Sequence, residues 1–510
     1  MDEAHRIFLI IVRIFSNRSP MAHRTGPLIK IPYIAVCGLP IHRWHGKMNR
    51  DWEMVFLDRF VGLNERKDRS VTQEGRRDEL LELFRLARKK DVFNGCIGVY
   101  EHGEPLLEAG FGLSDFEENQ PLTPDSCFDL ASITKQFTTA AIMLLRDGGL
   151  LSLDDEMEKF FPGFPYKGIT VRMLMNHTSG LPDEEWVIPF LEDKTRPIDN
   201  QKLLDIIMSQ PPAPLFRPGE GWFYSNIAYE LLANIIEMVS GRGFEAFIQS
   251  ELLDKAGMSH SRVHHRFMDL QDPKGMTHSY LMENGEMVRP ERSLSAETIV
   301  PLEGVNGAGL MYTTIGDMNK WDRALRAGSV LSLETQREMR ENPADCGNGE
   351  RYGYGWFVKN GGNLVHHSGG WPGYINYFYR YLDSDRMLIM LTNVQKDRRA
   401  LMSLLNRALA VLTDAPRPDF ITTRDEINRD ITPRQVSRYV GDYEESAKVR
   451  IHGAGICLSF GRDAAIPLYP VDAQRFITTE NLNEYQFDGE TLTVVNSRHR
   501  QTFRRVQALK

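Results

Sequence analysis

Cysteine is scarce in this chain and poorly placed for either of its usual structural uses. Five are scattered over 510 residues. The number is odd and no CxxC pair occurs, so neither a zinc site nor a disulfide framework is indicated, and a reducing compartment fits best. No HExxH stretch is present, and His260, His264 and His265 lack ligand spacing with carboxylates, so no metal and no cofactor are expected. GxSxG is missing as well, which argues against an α/β-hydrolase elbow. Basic excess is absent: the formal net charge is −8, without the footprint of a nucleic-acid-binding protein. Long apolar runs are also lacking. Ile7–Val12, extended past Arg13 to Ile14 and Phe15, follows Asp2 and Glu3 and falls well short of the ~20 residues of a membrane span. No small-residue cleavage site follows it, so it reads as a leader rather than a signal peptide, and a cytoplasmic location is expected.

What is present suits a soluble globular protein, with 42% hydrophobic and 25% charged residues. The length favours one large unit plus a smaller one. Residues 1–72 form an extension to which no role is assigned, and 73–413 form the main domain. A linker follows over 414–430, marked by Pro416 and Pro418, and a small β domain over 431–510.

Periodicity organises the main domain. A helical stripe runs through Leu80, Leu81, Phe84 and Leu86–Ala87. Cys96–Tyr100 and Glu104–Phe111 read as a hairpin turning at Gly103. A helix is expected from Ser132 to about Asp147, stopped by Gly148–Gly149. Others are expected at Ile169–Met175, at Ala228–Val239 ended by Gly241, and at Ile315–Leu325 capped by Thr314. Strands return at Gly355–Lys359, Asn363–His367, Tyr374–Tyr381 and Met387–Thr392. Strands at both ends with helices between them imply an α+β fold, a sheet flanked by helices with a helical subdomain. In the tail, short alternating runs from Val449 to Val506 suggest a small antiparallel sheet or barrel.

Three short elements carry candidate chemistry. In Ser132-Ile133-Thr134-Lys135, residues one helical turn apart share a face, so the Lys135 amine reaches the Ser132 hydroxyl and activates it. Serine and lysine usage gives on the order of one such tetrad by chance in a chain of this length; here it occurs once, at the start of an apolar helix. The second element is Tyr224-Ser225-Asn226, between a Pro-Gly turn and a helix. A phenol beside an ammonium relays protons, and the Asn226 amide both holds Lys135 and binds a substrate carbonyl. The same spacing at Tyr374-Ile375-Asn376 lies in a strand, where Tyr374 is a packing or pocket-wall residue. The third element, His367-Ser368-Gly369-Gly370, ends a strand and leads into Trp371, with glycines that let a ligand approach the backbone closely.

In this order the three elements resemble the penicillin-recognising serine hydrolases, which include class C β-lactamases, D-alanyl-D-alanine carboxypeptidases, D-aminopeptidases and related esterases. The flanking blocks FDLASITKQFTT (Phe128–Thr139), MLMNHTSGLP (Met173–Pro182), GAGLMYTTIGDMNKW (Gly307–Trp321) and HHSGGWPGY (His366–Tyr374) are similar to that family, over roughly Phe93 to Leu412. The resemblance implies a β-lactamase/transpeptidase-like fold. It makes Ser132 the acylated nucleophile, Lys135 its base or hydrogen-bond partner, and Tyr224 a proton shuttle; which of the last two is the base stays open. Asn226 would position substrate alongside His367, Ser368 and Gly369, and the backbone N–H groups of Ser132 and Gly370 would form the oxyanion hole. His177 and Ser179 fall in a block that shapes a turn and are read as scaffold. Class C β-lactamases have lysine where this chain has His367, so a peptidase or esterase is implied over efficient β-lactam hydrolysis. The tail, opening with Tyr439-Val440-Gly441-Asp442-Tyr443, is similar to the lipocalin-like barrel of some D-aminopeptidase-like members.

The reading is a serine hydrolase acting through an acyl-enzyme on peptide, amide or ester substrates, D-amino-acid-containing ones included. A broad-specificity carboxylesterase of the same fold is one alternative. A non-turnover penicillin-binding or sensor homologue is another. The partner expected is a small-molecule or peptide substrate.

Overall fold

Alternate residues of the central strands enter opposite cores. In β1 (Gly95–Glu101), Cys96 and Tyr100 join one apolar cluster while Ile97 and Val99 join another, the period of two expected of a strand buried on both faces. The computed structural model of the chain describes residues 72–506 except 270, 284–285, 348, 453–454, 461–464, 480 and 496–499. The expectations for the apolar leader fall outside the described residues.

α1 (Gln73–Lys89) is capped by Thr72, whose hydroxyl accepts the Gly75 N–H at 3.1 Å. Its stripe of Leu80, Leu83, Phe84 and Ala87 is buried. β1 pairs antiparallel with β2 (Glu104–Phe111). α2 (Lys135–Asp147) is buried on nearly every side, as a helix inside a core must be. α3 (Asn226–Ser240) is capped by Ser225 and ends at left-handed Gly241. α4 (Ile315–Ala327) is capped by Thr314.

The strands then return: β3 (Ala344–Gly347), β4 (Glu350–Tyr352), β5 (Phe357–Lys359), β6 (Leu364–Trp371), β7 (Tyr374–Tyr381) and β8 (Arg386–Thr392). With the first hairpin they form one sheet in the order β3-β4-β5-β6-β7-β8-β1-β2, antiparallel throughout. α1 and α5 (Arg398–Leu412) share a core with one face of it; α2, α3 and α4 share the core on the other. This is the β-lactamase/transpeptidase-like arrangement, a helix-flanked antiparallel sheet with a helical subdomain.

Among the boundaries that differ from the sequence expectation, three have a plain local reason. The helix expected from Ser132 is a tight 3₁₀ turn over Ala131–Thr134 that becomes α-helical at Lys135. β5 starts at Phe357 because left-handed Gly355 packs on α2, where a Cβ would lie 2.5 Å from the Thr139 hydroxyl. β6 does not stop at His367: β7 pairs with it residue by residue from Leu364 to Trp371.

The tail forms a second antiparallel sheet: β9 (Gly441–Asp442), β10 (Ala447–His452), β11 (Gly455–Phe460), β12 (Ile466–Pro470), β13 (Arg475–Ile477), β14 (Glu484–Asp488), β15 (Thr491–Val495) and β16 (Arg500–Arg504), in sequence order. Tyr443 bridges to Arg505, and the Val506 N–H donates to the Asp442 carbonyl at 2.8 Å, closing the sheet into a small barrel. Tyr439, Tyr443, Phe476, Tyr485, Phe487 and Phe503 are packed in its core. Among the described residues no helix is long and apolar enough to cross a membrane.

Candidate active site

Strain in one residue aims the nucleophile candidate. A short strand, Phe128–Asp129, pairs with Met311–Thr313, and the Asp129 carboxylate accepts the Ala131 N–H at 2.8 Å. Ala131 takes φ 49°, a left-handed conformation costing an L-residue on the order of 1 kcal/mol. The chain reverses there into the 3₁₀ turn. Ile133 N–H is the first in that turn to bond a backbone carbonyl, that of Leu130 at 3.3 Å, so the Ser132 N–H stands ahead of the helical ladder.

One turn on, Lys135 is buried and its Nζ donates three hydrogen bonds: to Ser132 Oγ at 3.1 Å, to Asn226 Oδ1 at 2.6 Å and to the Ala308 carbonyl at 3.1 Å. All three partners are neutral. Burial pulls the ammonium from its usual 10.5 down to about 8, against the opposing pull of Glu184, Asp183 and Glu230.

Asn226 opens α3. Its backbone N–H donates to Asp183 Oδ1 at 2.8 Å and its amide nitrogen to Glu184 Oε1 at 2.9 Å, so the amide oxygen is oriented toward Lys135. The preceding Ser225 is fixed twice, with its N–H on His177 Nδ1 (3.2 Å) and its hydroxyl on the Pro182 carbonyl (2.7 Å). The His177 ring lies 4.4 Å from that of Tyr224, centroid to centroid, so the HTSG turn serves as the bed on which Tyr224 rests.

The Tyr224 hydroxyl is buried without a completed hydrogen bond among the described residues. Its ring face carries the Lys135 ammonium at 4.8 Å from the centroid. Burial drives this phenol well above its usual 10.0, offset in part by the Ser132 hydroxyl alongside. Tyr374 is placed quite differently: its hydroxyl donates to the Thr277 carbonyl at 2.6 Å inside the core. Asn376, two residues on, donates to the Asp129 carbonyl at 2.7 Å and braces the turn ahead of Ser132.

β5 covers β6 only as far as His366, so His367–Trp371 keep a strand partner, β7, on one edge alone. Gly369 brings β6 against the nucleophile turn: a Cβ there would lie 2.0 Å from the Leu130 carbonyl oxygen. Gly370 and Trp371 line a cleft of about 370 Å³ together with Ser132, Asn226, Glu184 and Asp129. Trp371 is held by its indole N–H on Glu303 at 2.7 Å, and Glu303 is paired with buried Arg266. Burial raises Asp129 to about 7.

His367 does not face the cleft. It is 1% exposed, with Nδ1 2.6 Å from the Ser368 carbonyl and Nε2 2.9 Å from the Tyr352 hydroxyl. The carbonyl can only accept, so Nδ1 carries the proton and Nε2 accepts from Tyr352. Burial, then the Lys135 charge, pulls His367 down to about 3, and the ring is neutral. Ser368 is exposed, and Gly369 packs inward.

The site thus brings Ser132, Lys135, Tyr224 and Asn226 together, places Gly370 on the same cleft, and sets His367 behind it. Sequence reasoning missed Asp183, Glu184, Glu230 and Tyr352. Only Glu230 left a trace there, as an acid within the apolar run Ile227–Ile236.

Comparison with known proteins bears on the family and the fold. The beta-lactamase family model matches residues 83–412. Penicillin-binding protein 4* of Bacillus subtilis (strain 168) is 33% identical over 426 residues, covering 81% of this chain and 94% of its own. An octameric penicillin-binding protein homologue from Pyrococcus abyssi superposes with a TM-score of 0.58 at 24% identity, over 84% of this chain and 99% of its own. A D-amino acid amidase from Ochrobactrum anthropi SV3 superposes with a TM-score of 0.52 at 26% identity, over 62% of this chain and 91% of its own. The chain therefore belongs to the beta-lactamase family of penicillin-recognising serine hydrolases.

Proposed function

We propose that the protein hydrolyses amide or peptide bonds next to D-amino acids through an acyl-enzyme on Ser132. The observation that carries this reading is the environment of Lys135: buried, held by three neutral groups, and within hydrogen-bond distance of the serine. A lysine lowered to about 8 loses its proton near physiological pH, whereas burial keeps Tyr224 a neutral phenol. Lys135 is therefore assigned as the base of acylation and Tyr224 as the donor to the leaving group.

In the first step neutral Lys135 takes the Ser132 proton as Oγ bonds to the substrate carbonyl carbon. The oxyanion that forms meets the Ser132 and Gly370 N–H groups. The proton then passes by way of the Tyr224 hydroxyl to the leaving nitrogen or oxygen as its bond to carbon breaks. Water attacks the ester by the reverse route, releasing the acid and Ser132.

His367 bears on the substrate. Neutral and turned away from the cleft, it offers no cation to a substrate carboxylate, which disfavours efficient β-lactam hydrolysis. The D-amino acid amidase among the structural relatives supports an amide substrate of D configuration. Offering the protein D-amino-acid amides and peptides, their L counterparts and p-nitrophenyl esters tests this. Faster turnover of the D-amides is expected. Turnover of esters alone would replace this reading with a carboxylesterase, and a stable adduct without turnover would make the protein a binding homologue.

A further inference from the structure

Two glutamates lie side by side beneath the Lys135–Asn226 contact, and no step above uses the second of them. Glu184 begins the 3₁₀ turn Glu184–Phe190 and accepts the Asn226 amide N–H at 2.9 Å. Glu230, one turn into α3, is 1% exposed, and neither of its carboxyl oxygens has a donor among the described residues. Its polar neighbour is the Glu184 carboxyl, within hydrogen-bonding reach. Asp183 and Glu185 flank Glu184 with further negative charge, and Lys135 is the cation that faces the pair.

Two buried carboxylates in contact do not both ionise. The one that receives a donor keeps the charge more readily, and here that is Glu184. A carboxyl with no donor must supply one, and here that is Glu230. We propose that Glu184 and Glu230 form a buried pair holding one proton, carried on Glu230, whose single negative charge positions Asn226 against Lys135 and sets the pH at which Lys135 becomes a base.

The inference rests on the assignment of Lys135 as base. Both residues are positioning residues: neither takes a proton from substrate. Burial pushes Glu184 up to about 7 and Glu230 well above its usual 4.5, directions that agree with a shared proton. The geometry also explains how an acid can stand on the buried part of α3: as a neutral acid donating to Glu184, Glu230 is satisfied there.

The test is the pH profile of fluorophosphonate labelling at Ser132 in wild type, E230Q and E184Q/E230Q. Gln at 230 replaces a neutral donor by a neutral donor, so the midpoint of the labelling profile stays where it is in wild type. The double variant removes the pair's one charge and lets Lys135 deprotonate earlier, so its midpoint falls by about one pH unit. An unmoved midpoint in the double variant would reduce the pair to scaffolding and overturn the proposal. A fall in E230Q equal to that of the double variant would put the charge on Glu230 and overturn it too. Infrared spectroscopy decides the proton separately: the difference spectrum of wild type minus E230Q shows a carboxylic-acid carbonyl band. Were wild-type Ser132 not to label at all, the acyl-enzyme reading would fail, and the band would still show whether the pair shares a proton.

Discussion

Lys135 Nζ stands nearer to Asn226 Oδ1, at 2.6 Å, than to the hydroxyl of Ser132, at 3.1 Å. The amide rather than the serine fixes the ammonium. Asn226→Ala should therefore damage both stability and reactivity. Losing a buried hydrogen bond to a charged group costs about 2 kcal/mol, read as a lower Tm. The labelling rate at Ser132 should fall by about 10²-fold or more. A variant with wild-type rate and reduced Tm would show that Asn226 only braces the fold.

Tyr224→Phe separates chemistry from stability. The hydroxyl it removes is buried without a completed hydrogen bond among the described residues, so Tm should hold or rise slightly. Turnover should drop by about 10²-fold or more because the leaving group loses its proton donor. An unchanged kcat would remove Tyr224 from the proton path.

The neutral histidines of β6 make the fold sensitive to acid. Burial holds His366 and His367 at about 3, below the ordinary 6.5. Between those values the unfolded chain binds protons that the native state refuses. Their contribution is thus whole above pH 6.5 and drains away as pH falls toward 3. His367→Gln retains an acceptor for the Tyr352 hydroxyl but cannot titrate. Its urea midpoint should fall less steeply than that of wild type over pH 6.5 to 4, and equal slopes would contradict the assignment.

Adjacent glycines should respond in opposite ways. At Gly369 a Cβ would strike the Leu130 carbonyl at 2.0 Å, whereas at Gly370 it would meet no heavy atom of the described residues within 4 Å beyond its own chain neighbours. Gly369→Ala should push β6 away from the nucleophile turn, lowering Tm and abolishing labelling. Gly370→Ala should fold normally, its methyl entering open space at the cleft wall. Circular dichroism melts of the pair decide this, and equal Tm values would show that β6 is not seated on Leu130.

How legible was all this in the sequence? Period and capping carried the elements far: Thr314 and Gly241 act as the boundaries their residue types suggest. The order of three short elements located Ser132, Lys135, Tyr224 and Asn226. The rest depended on contacts between distant segments. The residue type of Ala131 does not announce a left-handed conformation, and the packing of β6 on the Leu130 carbonyl beside it joins segments more than two hundred residues apart. The inward turn of His367 depends on Tyr352, fifteen residues away on a different strand. Glu184 resembles any surface acid at the start of a turn until α3 buries it.

The central claim, an acyl-enzyme on Ser132 activated by Lys135, is tested most directly by locating a covalent adduct. Wild type, Ser132→Ala and Lys135→Ala would each be incubated with a fluorophosphonate or labelled penicillin, digested and read by mass spectrometry. The account predicts one adduct in wild type, on the peptide bearing Ser132, absent in Ser132→Ala and at least about 10²-fold slower to form in Lys135→Ala. Undiminished labelling of Ser132→Ala would contradict it.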